Sequence, residues 1–263
     1  MKLVKAHAFG NDFLLLDNRQ VPPGADRTAL ARSVCARHRG VGADGLMIFE
    51  ERVSGASMRL LNADGSPSEV SGNGVRCLAA WIAVRRDLAP GSVLEIGTDA
   101  GTKRLELLSR HDGELAFCAA MGRPERIERH ALTVCGTTVD AITLRVGNPQ
   151  CVVLGPVTEQ RLHTIAAGLA THPHFPEGTN VELATVDAPD LVRILIWERG
   201  VGPTEASGTG ACAAAVAAIE FGGASRDVRV ASPGGTQRVE WRPDGLYLTG
   251  TASVIAEITW VGW

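Results

Sequence analysis

The sequence predicts an α+β fold of two pseudo-symmetric lobes, each a curved, mostly antiparallel sheet wrapped around one buried central helix. Three observations lead there. Val70-Ser71-Gly72-Asn73-Gly74-Val75-Arg76-Cys77 and Ala206-Ser207-Gly208-Thr209-Gly210-Ala211-Cys212 are one device written twice, a small polar residue on a Gly-x-Gly turn that runs into a helix. Ser71 and Ser207 stand 136 positions apart, about half of the 263-residue chain. Asp44 with Asn180 and Asn62 with Glu198 recur at the same offset, and Gly10-Asn11-Asp12 matches Gly147-Asn148-Pro149 one residue further on. Matches at a nearly constant offset mean two copies of one domain.

The two helices are central because neither has a polar face. Leu78 to Val84 follows the first turn and Ala213 to Ile219 the second, and a helix that is apolar all round must be buried. Its glycine-rich start then presents free N–H groups and the positive end of the helix dipole, which together suit a carboxylate. Polar residues matched between the copies are expected to converge on the cleft between the halves, where small-molecule sites form.

In chain order, Leu3-Val4-Lys5 and Phe13 to Leu16 read as strands about the Gly10-Asn11-Asp12 turn. Thr28 to His38 places Leu30, Ala31, Val34 and Cys35 at helical spacing. Leu46 to Phe49 and Met58 to Leu61 are strands, the second ending in the turn Asn62-Ala63-Asp64-Gly65. The first central helix starts near Asn73, and strands at Val93 to Ile96, Arg104 to Leu108 and Leu115 to Cys118 follow. The boundary between the copies lies near Ala119-Ala120-Met121-Gly122-Arg123-Pro124, and the second has strands near Leu132 to Val134, Ile142 to Val146 and Cys151 to Leu154. A helix over Glu159–Ala170 carries Leu162, Ile165, Ala166 and Leu169 on one face. Strands Val181 to Ala184 and Leu191 to Trp197 lead to the second central helix, and four strands are expected after it. The lobes are therefore 1–118 plus a returning strand 251–263, and 119–250.

Composition sets modest bounds. A net charge of −3 gives no basic stripe, so nucleic acid is not an expected partner. The longest apolar run, Ala211 to Ile219, is far short of the roughly 20 residues that span a bilayer. Met1 to His7 lacks the apolar stretch of a signal peptide, which points to the cytoplasm. The 6 cysteines have no CxxC spacing and read as reduced core thiols. His38, His163, His172 and His174 show no metal-ligand arrangement, so no metal is expected.

At this point the residues carry a family resemblance. Gly10-Asn11-Asp12-Phe13, Asn62-Ala63-Asp64-Gly65-Ser66, Gly72-Asn73-Gly74-Val75-Arg76-Cys77, Gly147-Asn148-Pro149, Thr179-Asn180, Glu198-Arg199-Gly200 and Gly208-Thr209-Gly210-Ala211-Cys212 resemble the signature set of diaminopimelate epimerase, in order and over essentially the whole chain. The resemblance implies a pyridoxal-independent, cofactor-free amino-acid epimerase, usually a homodimer, that converts LL- to meso-diaminopimelate with two cysteines, one on each side of the substrate. It also implies a substrate-binding set: Asn11, Asn62, Asn148, Asn180 and Arg199 on the amino and carboxylate groups. Gly72-Asn73 and Gly208-Thr209, at the two helix starts, are placed on the α-carboxylate.

The chain departs from that pattern at its centre. The family's paired cysteines fall where Ser71 and Ser207 stand. Gln150 occupies the place of a usual histidine, Gly178 that of a common arginine and Pro203 that of a common glutamate. A thiol is readily brought into a useful range at a helix start, whereas a serine hydroxyl is almost never ionised at neutral pH. Glu198 is the remaining ionisable group expected beside Ser207, and with the two serines it completes the candidate catalytic set. Three readings stay open: an epimerase of the diaminopimelate type, in name and fold, with intrinsic activity weak or absent; another cofactor-free isomerase, dehydratase or cyclase acting on a carboxylate with Glu198 as base; and a non-catalytic amino-acid-binding protein. Taken singly, Asn62, Asn148 and Asn180 read equally well as turn asparagines.

Overall fold

The structure, a computed structural model, describes residues 1–68 and 71–262. Val70 of the first glycine turn and Trp263 of the returning strand lie outside them. The chain divides into two compact units, one of Met1–Ala119 with the chain from Gly250 on, the other of Ala120–Thr249.

The first unit runs β1 (Lys2–Ala8), β2 (Asn11–Asp17), a 3-10 turn (Asn18–Gln20), α1 (Arg27–Cys35), β3 (Gly45–Arg52), β4 (Gly55–Asn62), β5 (Pro67–Ser68), α2 (Gly72–Arg85), β6 (Val93–Thr98), β7 (Gly101–His111) and most of β8 (Glu114–Gly122). β1 pairs antiparallel with β2, β2 parallel with β3, and β3 antiparallel with β4. β4 holds β5 antiparallel and β6 parallel, and the hairpins β6–β7 and β7–β8 follow.

The second unit comprises β9 (Glu125–Val134), β10 (Thr137–Val146), β11 (Asn148–Leu154), α3 (Glu159–Arg161), a π-helical turn (Leu162–Ala166), α4 (Ala167–Ala170), β12 (Asn180–Ala188), β13 (Leu191–Glu198), β14 (Gly202–Thr204), α5 (Gly208–Phe221), β15 (Asp227–Ser232), β16 (Gly235–Arg242) and the start of β17 (Gly245–Thr259). From β10 to β17 it repeats the pairing of β1 to β8. β10–β11 is antiparallel, β11–β12 parallel, β12–β13 and β13–β14 antiparallel, β13–β15 parallel, and β15–β16 and β16–β17 are hairpins. β9 flanks β10 as residues 253–259 of β17 flank β1, antiparallel in both cases.

Each unit is built around its long helix. α2 lies on β1, β2, β6 and β7, and α5 on β10 to β13, β15 and β16. Ala211 to Ala218 are at most 1% exposed, because side chains this small let strands close in from all sides.

Five details depart from the sequence reading. The helix Glu159–Ala170 widens to π geometry over Leu162–Ala166; its four apolar residues are buried, but nothing in the structure explains the widening. β9 begins at Glu125 rather than near Leu132, since its first half is mostly exposed and is held by pairing with β10, which leaves no apolar alternation to read. Three strands, not four, follow α5, because β17 is continuous for 15 residues. Cys135 is exposed on a turn at φ 50° and Cys118 is half-buried, so only Cys35, Cys77, Cys151 and Cys212 are core thiols.

α1 also stops early, at Cys35 instead of His38. The loop that follows folds back over its last turn, with Gly40 N donating to Ala36 O, Val41 N to Val34 O and Ala43 N to Cys35 O at 2.7, 2.9 and 3.1 Å. Gly40 is needed there: a Cβ on it would stand 2.2 Å from Ser33 O and 2.6 Å from Val34 O. Gly40→Ala is therefore expected to cost about 1–3 kcal/mol and lower the thermal midpoint by roughly 5 °C. A midpoint within about 1 °C of the parent in a calorimetric scan would contradict that contact.

Candidate active site

Ser71 and Ser207 are the N-caps of the two buried helices. Their backbones are extended, at φ −125°, ψ 123° and φ −138°, ψ 130°, and each Oγ accepts the N–H of the third helical residue, Gly74 or Gly210, at 3.1 Å. An N-cap side chain satisfies an N–H that the helix leaves free and is worth about 1 kcal/mol. Glycine at the third position is a packing requirement. A Cβ at Gly74 would meet Met47 Sδ at 3.2 Å and Ser71 Cβ at 3.3 Å; at Gly210 it would meet Glu182 Oε1 at 2.6 Å and Ser207 Cβ at 3.2 Å. Each hydroxyl thus sits at the positive end of a 14-residue helix, a place that favours negative charge on its oxygen. That effect is worth at most about 2 kcal/mol, too little to ionise a hydroxyl at neutral pH.

In the first unit a polar chain fixes the residues around Ser71. Arg76 Nη2 donates to Asn73 Oδ1 at 2.5 Å, Asn73 Nδ2 to Asn11 Oδ1 at 3.2 Å, and Asn11 Nδ2 to Asp44 Oδ2 at 2.7 Å. Arg37 Nη2 bridges Asp44 and Asp12 at 2.6 and 3.0 Å, and Lys5 Nζ reaches Asp12 at 2.9 Å. Burial alone would raise the Asp12 carboxyl, but hydrogen bonds and charge from Arg37 and Lys5 outweigh it and hold it below the usual range. Asn73 is 3% exposed and Arg76 1%, so both belong to the frame behind the helix end. Asn62 is exposed and donates to Ser66 Oγ at 3.0 Å.

The second unit gathers Asn148, Gln150, Asn180, Glu182 and Glu198 on β11, β12 and β13. Gln150 pairs with Asn180 and Val152 with Glu182 in the parallel ladder; Glu182 pairs with Ile196, two residues before Glu198. Strand alternation puts Gln150, Asn180, Glu182 and Glu198 on one face. Gln150 is 1% exposed and donates to Asn148 Oδ1 at 2.5 Å. Asn180 Oδ1 accepts the backbone N–H of Arg199 at 2.9 Å, and Arg199 Nη1 donates to Glu177 O at 2.8 Å, so Asn180 and Arg199 are held together. The Arg199 side chain lies against Gly178, where a Cβ would come within 2.9 Å of its Cδ. Gln237 Nε2, buried, reaches Ser207 O at 3.5 Å. Gly72 and Thr209 are half-buried and Gly208 buried at their helix starts, and the Thr209 hydroxyl lies 3.5 Å from that of Ser207.

Glu182 is the residue that sequence reasoning missed. Its carboxyl is fully buried and raised well above the carboxylate range, first by burial and then by the negative charge of Glu198. A signal was available: one charged residue inside the apolar strand Val181 to Ala184, at the spacing that shares a face with Asn180. Cys77 and Cys212, behind the two serines, have no exposed surface, and burial pushes the Cys77 thiol up, so neither substitutes for a cap residue.

Comparison with known proteins agrees with this frame. The sequence profile of the family described as diaminopimelate epimerase matches residues 3–127 and 142–255. The chain is 40% identical to a diaminopimelate epimerase of Desulforudis audaxviator, covering 99% of both, and 37% identical to one of Heliobacterium modesticaldum, covering 96% of both. Among solved structures, a predicted epimerase of Pseudomonas aeruginosa superposes with a TM-score of 0.75 at 15% identity, covering 100% of this chain and 99% of that one. A hydroxyproline epimerase of Agrobacterium vitis does so at 0.71 and 16%, covering 98% and 91%. At such low identity these two show the fold alone. Among the described residues no helix is long and apolar enough to cross a membrane.

Proposed function

We propose that this chain, which belongs to the diaminopimelate epimerase family, takes diaminopimelate as its substrate and inverts its α-carbon without a cofactor, as a homodimer. The observation that carries the reading is the matched pair of serine N-caps, each with its oxygen 3.1 Å from a glycine N–H at the start of a buried helix. Ser71 and Ser207 act on one substrate molecule: as Ser71 gives its Oγ–H proton to the α-carbon, Ser207 Oγ takes the α-proton from the carbon while its own hydroxyl proton passes to the Glu198 carboxylate. Glu198 serves as the ionised base of the second half-site. Gly72-Asn73 and Gly208-Thr209 bring helix N-termini to the α-carboxylate. Asn62, Asn148 and Asn180 complete the contacts to the amino acid, Asn11 secures Asn73, and Arg199 takes the distal carboxylate.

Two hydroxyls are poor proton carriers, so the reaction is slow. Incubating the protein with LL- or meso-diaminopimelate in deuterated water, with α-deuteration read by NMR over days, is expected to show exchange at a low rate. Absence of both exchange and millimolar calorimetric binding would remove diaminopimelate as the substrate. Rapid exchange that is lost on Glu198→Gln but survives Ser71→Ala and Ser207→Ala would instead favour a carboxylate-based isomerase.

A further inference from the structure

Glu182 has no exposed surface, and neither of its carboxyl oxygens takes a hydrogen bond from another described residue. Its Oε1 lies against the third residue of α5, where a Cβ built on Gly210 would stand 2.6 Å from Oε1 and 3.2 Å from Ser207 Oγ. The carboxyl and the serine hydroxyl therefore flank the same glycine at the start of a 14-residue helix. The first unit supplies an internal control. Under Gly74 the corresponding place is filled by Met47, equally buried, with Sδ 3.2 Å from the built Cβ. An apolar side chain satisfies the packing there, whereas a buried carboxyl without a partner costs stability. A position kept at such a cost in one copy only points to function.

We propose that Glu182 is a positioning residue of the Ser207 half-site, its carboxyl group supplying a proton to the Ser207 hydroxyl once bound substrate brings the two groups, which flank the same glycine without a hydrogen bond between them here, into contact. The proposal takes its substrate from the epimerase reading above. When Ser207 protonates the substrate, its Oγ–H bond breaks, a Cα–H bond forms and the electron pair stays on Oγ. The Oε–H bond of Glu182 then breaks as its proton forms the new Oγ–H bond, and the carboxylate left behind regains a proton from hydronium, which balances the α-proton that the Ser71 half-site takes from the substrate and releases to solvent. The reverse reaction retraces these steps. Glu198 on β13 and the thiol of Cys151 on β11 are the titratable groups that interact with Glu182, and burial keeps that thiol protonated.

Glu182→Gln keeps the shape and removes the proton; Glu182→Met copies Met47. A carboxyl raised by folding holds its proton after the unfolded chain has released its own. Stability therefore falls as pH rises above about 4.3, the unfolded value, and continues to fall until the folded group titrates. Both variants are expected to unfold at a higher temperature than the parent at pH 7, with the gain shrinking towards pH 4. Calorimetric binding of diaminopimelate should be unchanged. Exchange of the α-proton should fall by about tenfold or more, and unequally for the two stereoisomers, because only one half-site carries the acid. A merely structural role moves both stereoisomers together.

The same substitution made in the Ser71→Cys, Ser207→Cys background separates the two readings. No exchange in that parent refutes the epimerase reading and this proposal with it. Exchange within about twofold of the parent in Glu182→Gln, or an equal loss for both stereoisomers, refutes the proposal alone.

Discussion

Ser71→Cys combined with Ser207→Cys is expected to raise α-proton exchange of LL-diaminopimelate by about 10²- to 10⁴-fold, the range that a well-matched general acid–base pair supplies. A thiol starts from a pKa near 8.5 and sits at a helix N-terminus that favours its anion, so the thiolate is populated at neutral pH where the alkoxide is not. The geometry is ready for it: both caps have the same extended backbone, and both oxygens receive a glycine N–H at 3.1 Å. The exchange carries a structural cost. Each serine is also the cap of its helix, and losing that hydrogen bond is expected to cost about 1 kcal/mol per site. The variant should therefore unfold a few degrees lower while reacting faster. Gln150 limits the gain, since a carboxamide cannot take up a proton as a base would. Deuterium incorporation by NMR and a thermal scan on the same sample read both effects. A double variant that binds diaminopimelate yet exchanges no faster than the parent would show that the site serves different chemistry.

Arg199→Ala is expected to weaken diaminopimelate binding by about 2–3 kcal/mol, or roughly 30- to 150-fold, the loss of a charge-assisted bidentate contact. The guanidinium is partly committed, one nitrogen donating to Glu177 O at 2.8 Å, and the backbone beneath it is pinned by Asn180 at 2.9 Å. Gly178 leaves room for the side chain to lie flat, with a Cβ there only 2.9 Å from Arg199 Cδ and the backbone at φ +74°. A fork held this way loses little entropy on binding, so Arg199→Lys, which keeps the charge but not the planar fork, should recover only part of the affinity. Titration calorimetry with diaminopimelate, and with an α-amino acid lacking the distal carboxylate, makes the comparison. If Arg199→Ala weakens both ligands equally, the arginine supports the fold of the loop and does not read the distal group.

Much of the molecule was legible in the chain because local chemistry decides it. The two Gly-x-Gly turns with a serine before them specify helix starts, since a small polar cap, flexible glycines and an apolar run are sufficient signals. The repetition at a constant offset disclosed two copies, and the strand pairing from β1 to β8 recurs from β10 to β17. Where the sequence reading slipped, a non-local interaction outweighed the local signal. α1 ends at Cys35 because the N–H groups of Val41, Gly42 and Ala43 take the carbonyls of Val34 and Cys35. β9 is long because β10 pairs with it, although its exposed half carries no apolar alternation. β17 is a single strand because its residues pair with β16 at one end and β1 at the other.

By itself the sequence determined the repeat, the serines at both helix starts and the family, since these rest on residue identity and spacing along the chain. Tertiary structure alone decided what lies beneath those helix starts. Alternation along Asn180, Val181 and Glu182 fixes which face the carboxyl takes, but not what covers that face. Met47 and Glu182 occupy corresponding places under Gly74 and Gly210, and only packing a strand against a helix distant in the chain shows that one helix start has an apolar side chain beneath it and the other an acid.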